Sequence, residues 1–207
     1  MGFRVFTFVL FTSIAGWAFG QVTGNVSIPT ADVIGQREGE LGYSLTSSKA
    51  NFNSRYGSST YFIFGPLDRW EIAVGTDFAS DPGLGFKWNF LHIEESGLAL
   101  GAGLQGIGPG MKSSPYFAAR KALDVLNIHA GLQEVEGNRQ GFFGVDWTMT
   151  EKIVFGADHI AGSAGSTSIG AWYDLGSGFT LNGAVFFPNE KSEPRTHSLS
   201  VAYGFRF

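Results

Sequence analysis

Residues 198–207 alternate strictly between two kinds of side chain. One set is apolar, comprising Leu199, Val201, Tyr203, Phe205 and Phe207, and the other comprises Ser198, Ser200, Ala202, Gly204 and Arg206. Successive side chains of a β-strand point to opposite faces, so this strand needs an apolar solvent on one side and a polar or tightly filled space on the other. A transmembrane β-barrel supplies both. The pattern predicts a lipid-facing strand, with Tyr203, Phe205 and Phe207 as the C-terminal signal for the barrel-assembly machinery.

The first 20 residues have the features of a secretory signal peptide. A basic start at Arg4 is followed by an apolar stretch over residues 5–14 and by small residues up to Gly20. No later run of 18 or more apolar residues occurs, which argues against a membrane protein built from helices. We therefore expect cleavage near Gly20 and a mature protein in the outer membrane of a Gram-negative-type bacterium.

The composition agrees with a barrel and excludes several other classes. The chain has no cysteine, only 15% charged residues, 30 glycines and 20 phenylalanines, which is unusual for a soluble domain. A soluble all-β domain is the alternative interpretation. Without Arg4 the 14 basic residues become 13, against 18 acidic ones, a formal charge of −5. That balance argues against nucleic acid as a partner.

Alternation and turn residues divide the rest of the chain into twelve candidate strands. We predict an all-β, antiparallel up-and-down barrel over residues 39–207, with ten strands as the alternative count and residues 21–38 as a periplasmic or lumenal segment. Two strands are poorly defined: residues 61–64 are continuously apolar, and Pro115 and Lys121 interrupt the sixth. The predicted strands are 39–47, 58–65, 70–78, 83–91, 97–106, 115–121, 125–133, 140–149, 152–160, 166–174, 178–187 and 196–207.

If both termini are periplasmic, the connections after even-numbered strands are the short periplasmic turns. Residues 66–69, 149–152 and 175–178 fit this arrangement. An aromatic girdle is then expected at the periplasmic interface. Its predicted members are Trp70, Phe90, Trp147, Tyr173, Phe179 and Phe207.

The inward phase of the strands carries both polar side chains and glycines. Opposite charges there either pair with each other or line a path for a solute. The predicted lumen-facing polar residues are Glu71, Asp77, Lys87, Asn89, Arg120, His129, Asp146, Asp158, Asp174, Asn182 and Arg206. Inward glycines leave little side-chain volume in the lumen, which favours a narrow channel or a plug, although glycine also eases sheet curvature.

The candidate plug precedes the first strand. Val26, Ile28, Pro29, Thr30 and Asp32 belong to a segment without strand alternation. Thr30 is a candidate N-cap for one helical turn. The alternative is a disordered periplasmic tail.

Catalytic and metal-binding patterns are weak. The histidines are His92, His129, His159 and His197, and they lie far apart in the sequence without a carboxylate cluster. Asp158-His159 followed by Ser163 is faintly similar to the arrangement of outer-membrane phospholipases, but the spacing departs from it and the surrounding residues indicate a hairpin loop. We therefore predict no catalytic residue, no metal and no cofactor.

Several segments resemble the YjbH-like family of outer-membrane proteins. They are IPTAD at 28–32, GELGY at 39–43, GPLDRWEIAVG at 65–75, GLGFK at 83–87 and FFGVDW at 142–147. The resemblance implies an envelope role in exopolysaccharide production or export, with polysaccharide or export components as partners and no catalytic residues to transfer. This chain is much shorter than the larger members and corresponds to at most one barrel unit.

The sequence thus predicts a non-enzymatic outer-membrane barrel surrounded by lipid, with an envelope role. A small passive pore for small solutes is the first alternative, and an outer-membrane lipid hydrolase is the second.

Overall fold

The computed structural model describes residues 24–49, 56–79, 81–135 and 137–207. Within them, twelve antiparallel strands form one closed barrel in chain order, so the predicted fold and the count of twelve are confirmed. The predicted signal peptide lies outside the described residues. The strands are β1 (Glu38–Ser47), β2 (Gly57–Phe64), β3 (Trp70–Thr76), β4 (Gly83–Ile93), β5 (Leu98–Ile107), β6 (Ser114–Leu123), β7 (Leu126–Val135), β8 (Asn138–Thr148), β9 (Ile153–Ile160), β10 (Ser166–Gly176), β11 (Phe179–Pro188) and β12 (Thr196–Arg206).

The barrel closes where the first strand meets the last. β1 and β12 pair from Glu38 opposite Arg206 to Ser47 opposite His197, so neither strand is left as a free edge. A 3-10 turn, Glu94–Ser96, separates β4 from β5. The described residues include no helix with the length and apolar character needed to cross a membrane.

The outer surface of the barrel is apolar. Alternate residues of nearly every strand expose large hydrophobic side chains, while their neighbours are buried inside. An exposed apolar belt of this size requires lipid as its solvent. Members of the belt include Leu41, Val74, Leu84, Trp88, Phe117, Leu132, Phe143, Phe155, Ile169, Leu181, Leu199 and Val201.

The two poorly defined strands have a clear phase in the structure. In β2 the Ile63 side chain is fully buried, and the Tyr61 hydroxyl donates to Glu40 at 2.9 Å inside the barrel. In β6 the pairing with β7 begins at Tyr116. Pro115, which lacks a backbone N–H, therefore lies just beyond the end of that ladder.

The short turns lie at the same end of the barrel as the entry to β1 and the end of β12. Arg69, Asp124 and Ser177 adopt left-handed backbone conformations in these turns, and the Phe207 amide donates to the Arg37 carbonyl at 3.0 Å. Aromatic side chains cluster on the outer surface here. Trp70 stacks on Trp88 with ring centroids 5.5 Å apart, and Phe179 packs on Tyr203 at 4.7 Å.

Candidate functional site: a segment inside the barrel lumen

Residues 24–36, which we call the lumenal segment, cross the inside of the barrel before β1 begins. Asn25, Val26, Ile28, Thr30 and Ala31 are almost completely buried. The segment contacts β8 and β9 near its start and β3, β4 and β6 near its end. Since β9 and β3 are six strands apart around a barrel of twelve, the lumenal segment spans from one wall to the opposite wall.

The start of the segment is a tight turn held by Asp158 of β9. The Asn25 amide donates to the Ile28 carbonyl at 2.9 Å and closes the turn. Asp158 accepts the Ser27 amide at 2.7 Å, the Ser27 hydroxyl at 2.6 Å and the Ile28 amide at 3.3 Å. A carboxylate that accepts several hydrogen bonds is a strong anchor, because each charge-assisted bond exceeds a neutral one.

Asn25 fastens the same turn to the backbone of the wall. Its side-chain Nδ2 donates to the carbonyl oxygens of Val145 at 3.1 Å and Ala157 at 3.2 Å. Two inward glycines make this approach feasible. A Cβ atom at Gly144 would lie 2.6 Å from Ile28 Cδ1, and one at Gly156 would lie 2.6 Å from Asn25 Oδ1.

Asp32 and Ala31 fasten the second half of the segment to β4 and β6. The Asp32 carboxylate lies 3.2 Å from the Arg120 guanidinium, and the Asp32 carbonyl accepts a hydrogen bond from Lys87 Nζ. The Ala31 carbonyl accepts from Asn89 Nδ2 at 2.9 Å. Three wall side chains thus bind two successive residues of the segment.

A buried ion pair supports this wall. Lys87 Nζ lies 3.6 Å from Glu71 Oε1, and both side chains are fully buried. Glu71 also accepts the Ile34 amide at 2.9 Å. Buried charges are stable only where each has an opposite charge or hydrogen bonds, and here the lumenal segment supplies part of that set.

A second polar group lies on β7 and β8. Asp146 is 2.6 Å from His129 Nε2 and accepts from Asn127 Nδ2 at 2.7 Å. A third polar group lies on β10, β11 and β12. There Asn182 donates to the Ala171 carbonyl and accepts from the Ser200 hydroxyl. These contacts occur between wall residues and do not involve the lumenal segment.

Three of the predicted lumen-facing residues lie at the barrel ends. Asp77 is in the loop after β3, and Asp174 is exposed beside the irregularity at the end of β10. Arg206 has a side chain that is 70% exposed, 4.0 Å from Glu38. These three do not share the buried interior occupied by Glu71, Lys87 and Asn89.

The predicted helical turn after Thr30 is wrong. Within residues 24–36 no helical residue occurs, and an isolated bridge joins Gly24 to Pro29. The physical reason is competition for backbone groups. The carbonyls of Ala31 and Asp32 and the amide of Ile34 bond to wall side chains, so they are not used within a helix.

Sequence reasoning missed three contributors to the lumen. Glu40 is buried and accepts from Tyr61, and Ser168 donates to Ser27 Oγ at 3.0 Å. The alternation of Leu41 and Tyr43 on the outer face would have placed Glu40 inside. No local signal identified Ser27, since its partner Asp158 is 131 positions away.

Two residues considered for catalysis, Asp158 and His159, lie on opposite faces of β9, because Asp158 is buried against Ser27 whereas His159 is exposed. His129 is buried in the lumen, whereas the His159 Nδ1 atom lies 3.0 Å from the Thr167 hydroxyl, and both of these residues are exposed. Ser163 lies in the loop between β9 and β10. No group of three or more histidine or carboxylate side chains suited to a metal ion occurs among the described residues.

Comparison with solved structures shows the same fold in outer-membrane porins. A structure titled KdgM porin in complex with disordered oligogalacturonate aligns with a TM-score of 0.62 at 12% identity, covering 81% of this chain and 99% of that one. Omp33 of Acinetobacter baumannii aligns at 0.51 with 11% identity, covering 83% and 98%. The toluene transporter TbuX of Ralstonia pickettii aligns at 0.51 with 11% identity, covering 86% and 91%.

Comparisons of the sequence with protein-family models and with curated proteins find no match. The fold, the apolar outer belt and the polar inner wall together define a closed transmembrane β-barrel with the fold that these porin structures share.

Proposed function

We propose that this protein is a non-enzymatic outer-membrane barrel with an envelope role in exopolysaccharide production or export, and that its lumenal segment is a plug. The observation that carries the plug is the attachment of residues 24–36 to opposite walls, at Asp158 on β9 and at Glu71 on β3. In this proposal the lumenal segment closes the barrel.

Two observations support a saccharide as the molecule handled. The segments at 28–32 and 65–75 resemble the exopolysaccharide-associated YjbH-like family. A structure with the same fold is described in its title as a porin with a bound oligogalacturonate. Both support a role in which a sugar polymer or oligomer reaches the lumen when the plug has left it.

A passive pore for small solutes is the second candidate function. It is favoured by the porin and transporter structures that share the fold. Against a lipid hydrolase, the second alternative, stands the position of Asp158, which binds Ser27 inside the barrel, whereas the adjacent His159 is exposed on the other face of β9.

Single-channel recording in planar bilayers tests the plug. The mature protein should carry no steady current, whereas a variant lacking residues 24–36 should conduct, because the deletion removes the side chains that fill the lumen. Heat-modifiable gel mobility controls for folding of both proteins. Steady conductance in the intact protein would favour the passive pore, and silence from both folded proteins would overturn the plug.

The polysaccharide role needs a separate measurement. Removing the protein from its host should lower the amount of exopolysaccharide released, and restoring it should recover the release. Unchanged release would contradict the envelope role in polysaccharide export while leaving the plug intact.

A further inference from the structure

We propose that the wall site formed by Arg120, Lys87 and Asn89 binds carboxylate-bearing saccharides, and that Asp32 occupies this site while the barrel is plugged. The inference rests on the proposed plug and names the class of ligand that competes with it.

The chemistry of the site matches a carboxylate in a polar sugar ring. Arg120 holds the Asp32 carboxylate at 3.2 Å, while Lys87 and Asn89 donate to neighbouring carbonyl oxygens. Guanidinium groups recognise carboxylates by geometry as well as charge. The segment therefore presents acceptor oxygens to three donor groups of the wall, of which Lys87 is also paired with Glu71 at 3.6 Å.

The same wall keeps polar atoms that the segment does not use. Asn89 Oδ1, Tyr116 Oη and Arg120 Nε are buried without a hydrogen-bond partner. Asn89 is only 2% exposed, so leaving its amide oxygen unpaired is costly in a site that serves the segment alone. Hydroxyl groups of a saccharide can donate to this oxygen, which the plug backbone does not do.

Small residues give the site its floor. Strand register places Gly103 between Lys87 and Tyr116, and Gly101 between Asn89 and Ala118. A Cβ atom at Gly101 would lie 3.1 Å from Ala31 Cα, so the segment rests directly on this floor. Its departure exposes a shallow surface with donors on both sides.

Competition follows from the single guanidinium. A ligand carboxylate on Arg120 excludes the Asp32 carboxylate, so ligand binding and plugging oppose each other. Linkage makes the effect reciprocal. A substitution that weakens the binding of the lumenal segment to the wall therefore raises the affinity of the wall site for the ligand. The anchor at Asp158 is different, because it accepts amide hydrogens and has no affinity for an anion.

A single cysteine introduced into this cysteine-free chain reports the position of the plug. Thr30 is fully buried, so in a Thr30→Cys protein a charged thiol reagent should react slowly. D-glucuronate should raise the reaction rate by about tenfold at saturation, a coupling of ordinary size. D-glucose is the matched control, because it lacks the carboxylate and should leave the rate unchanged.

Two variants separate the plug from the ligand site. In the Thr30→Cys background, Asp32→Asn and Arg120→Gln break the same ion pair and should both raise the basal rate. Because Asp32→Asn keeps Arg120, its thiol reaction rate should respond at about one tenth of the glucuronate concentration. Arg120→Gln should not respond at all. Arg120→Lys keeps a cation and should retain a weaker response, which guards against a folding defect in the glutamine variant.

Each outcome decides between the plug and the carboxylate site. Suppose that the introduced thiol reacts slowly and that both variants raise its reaction rate, but that glucuronate never changes this rate. The carboxylate site is then overturned and the plug stands. A thiol that reacts quickly in the Thr30→Cys protein without further changes would overturn the plug. Equal responses to glucuronate and glucose would also overturn the carboxylate site.

Discussion

Four glycines on the inner wall lie against the lumenal segment. Cβ atoms at Gly101, Gly144, Gly156 and Gly170 would meet Ala31, Ile28, Asn25 and Val26, respectively, at 2.6–3.2 Å. These positions lie on β5, β8, β9 and β10, so the fit extends around much of the barrel. The absence of a side chain here serves close packing, not only sheet curvature.

We expect Gly144→Val to displace the lumenal segment. The new Cβ would lie 2.6 Å from Ile28 Cδ1 and 2.9 Å from Asn25 Nδ2, and a packed interior does not absorb such an overlap without a shift. The variant should form a folded barrel that conducts in planar bilayers, whereas the unaltered protein should not.

Gly183→Val is the control for this substitution. A Cβ at Gly183 meets nothing within 4 Å, because this glycine faces outward from β11. The control should remain closed. Conduction by both variants, or by neither, would contradict the role assigned to Gly144.

At the scale of elements, the lumenal segment is held through its backbone as well as through the side chains of Asn25, Ser27 and Asp32. Wall side chains bind the amides of Ser27, Ile28 and Ile34 and the carbonyls of Ala31 and Asp32. These backbone contacts do not depend on the identity of the segment's own side chains. The wall residues are therefore the informative sites for mutation.

Asp158→Asn should loosen the first anchor. An amide cannot accept three hydrogen bonds as a carboxylate does, and hydrogen bonds to a charged group contribute about 1.5–3 kcal/mol each. Loss of one such bond predicts that a thiol reagent reacts about tenfold faster or more with Thr30→Cys/Asp158→Asn than with Thr30→Cys alone.

Asp77→Asn makes the same chemical change outside the lumen, in the loop after β3. It should leave the reactivity of the introduced thiol unaltered. An equal increase in both aspartate variants would mean that the effect is not due to the anchor.

At the scale of the whole molecule, stability depends on an unbroken ring of strand pairs. Ser200 lies in the middle of β12, opposite Ser44 on one side and Asn182 on the other. Ser200→Pro removes a backbone N–H from a ladder that has no free edge to tolerate it. We expect loss of the heat-modifiable gel band and of folded protein in the membrane.

Lys191→Pro is the matched change in a loop. The Glu193 amide donates to the Glu190 carbonyl at 3.1 Å, which makes Lys191 the second residue of a turn, a position that proline favours. The loop variant should fold normally. A folded Ser200→Pro barrel would contradict the requirement for an unbroken ring.

The extent to which the sequence predicted this structure differs between strands and lumen. Because lipid requires apolar side chains at every second position, all twelve strands could be recognised from the local sequence. The phase of residues 61–64 could not be recognised in this way, because Tyr61 and Ile63 are apolar enough to resemble outward residues while lying inside. Charged wall residues such as Lys87 and Asp158 were predicted as lumenal, but their partners in the segment were not, because those pairs join distant parts of the chain.

The anchors follow one another along the chain, and this fixes how the lumenal segment responds to force. The Asp158 anchor binds residues 27 and 28, the Arg120 anchor binds residue 32, and the tether to β1 begins at Arg37. A pull on the amino-terminal side of the segment therefore loads the contacts of Asn25 and the Asp158 anchor first, and it reaches Asp32 only after these have opened. The segment would be extracted by peeling, one anchor at a time, under a force set by the strongest single anchor and not by the sum of all of them.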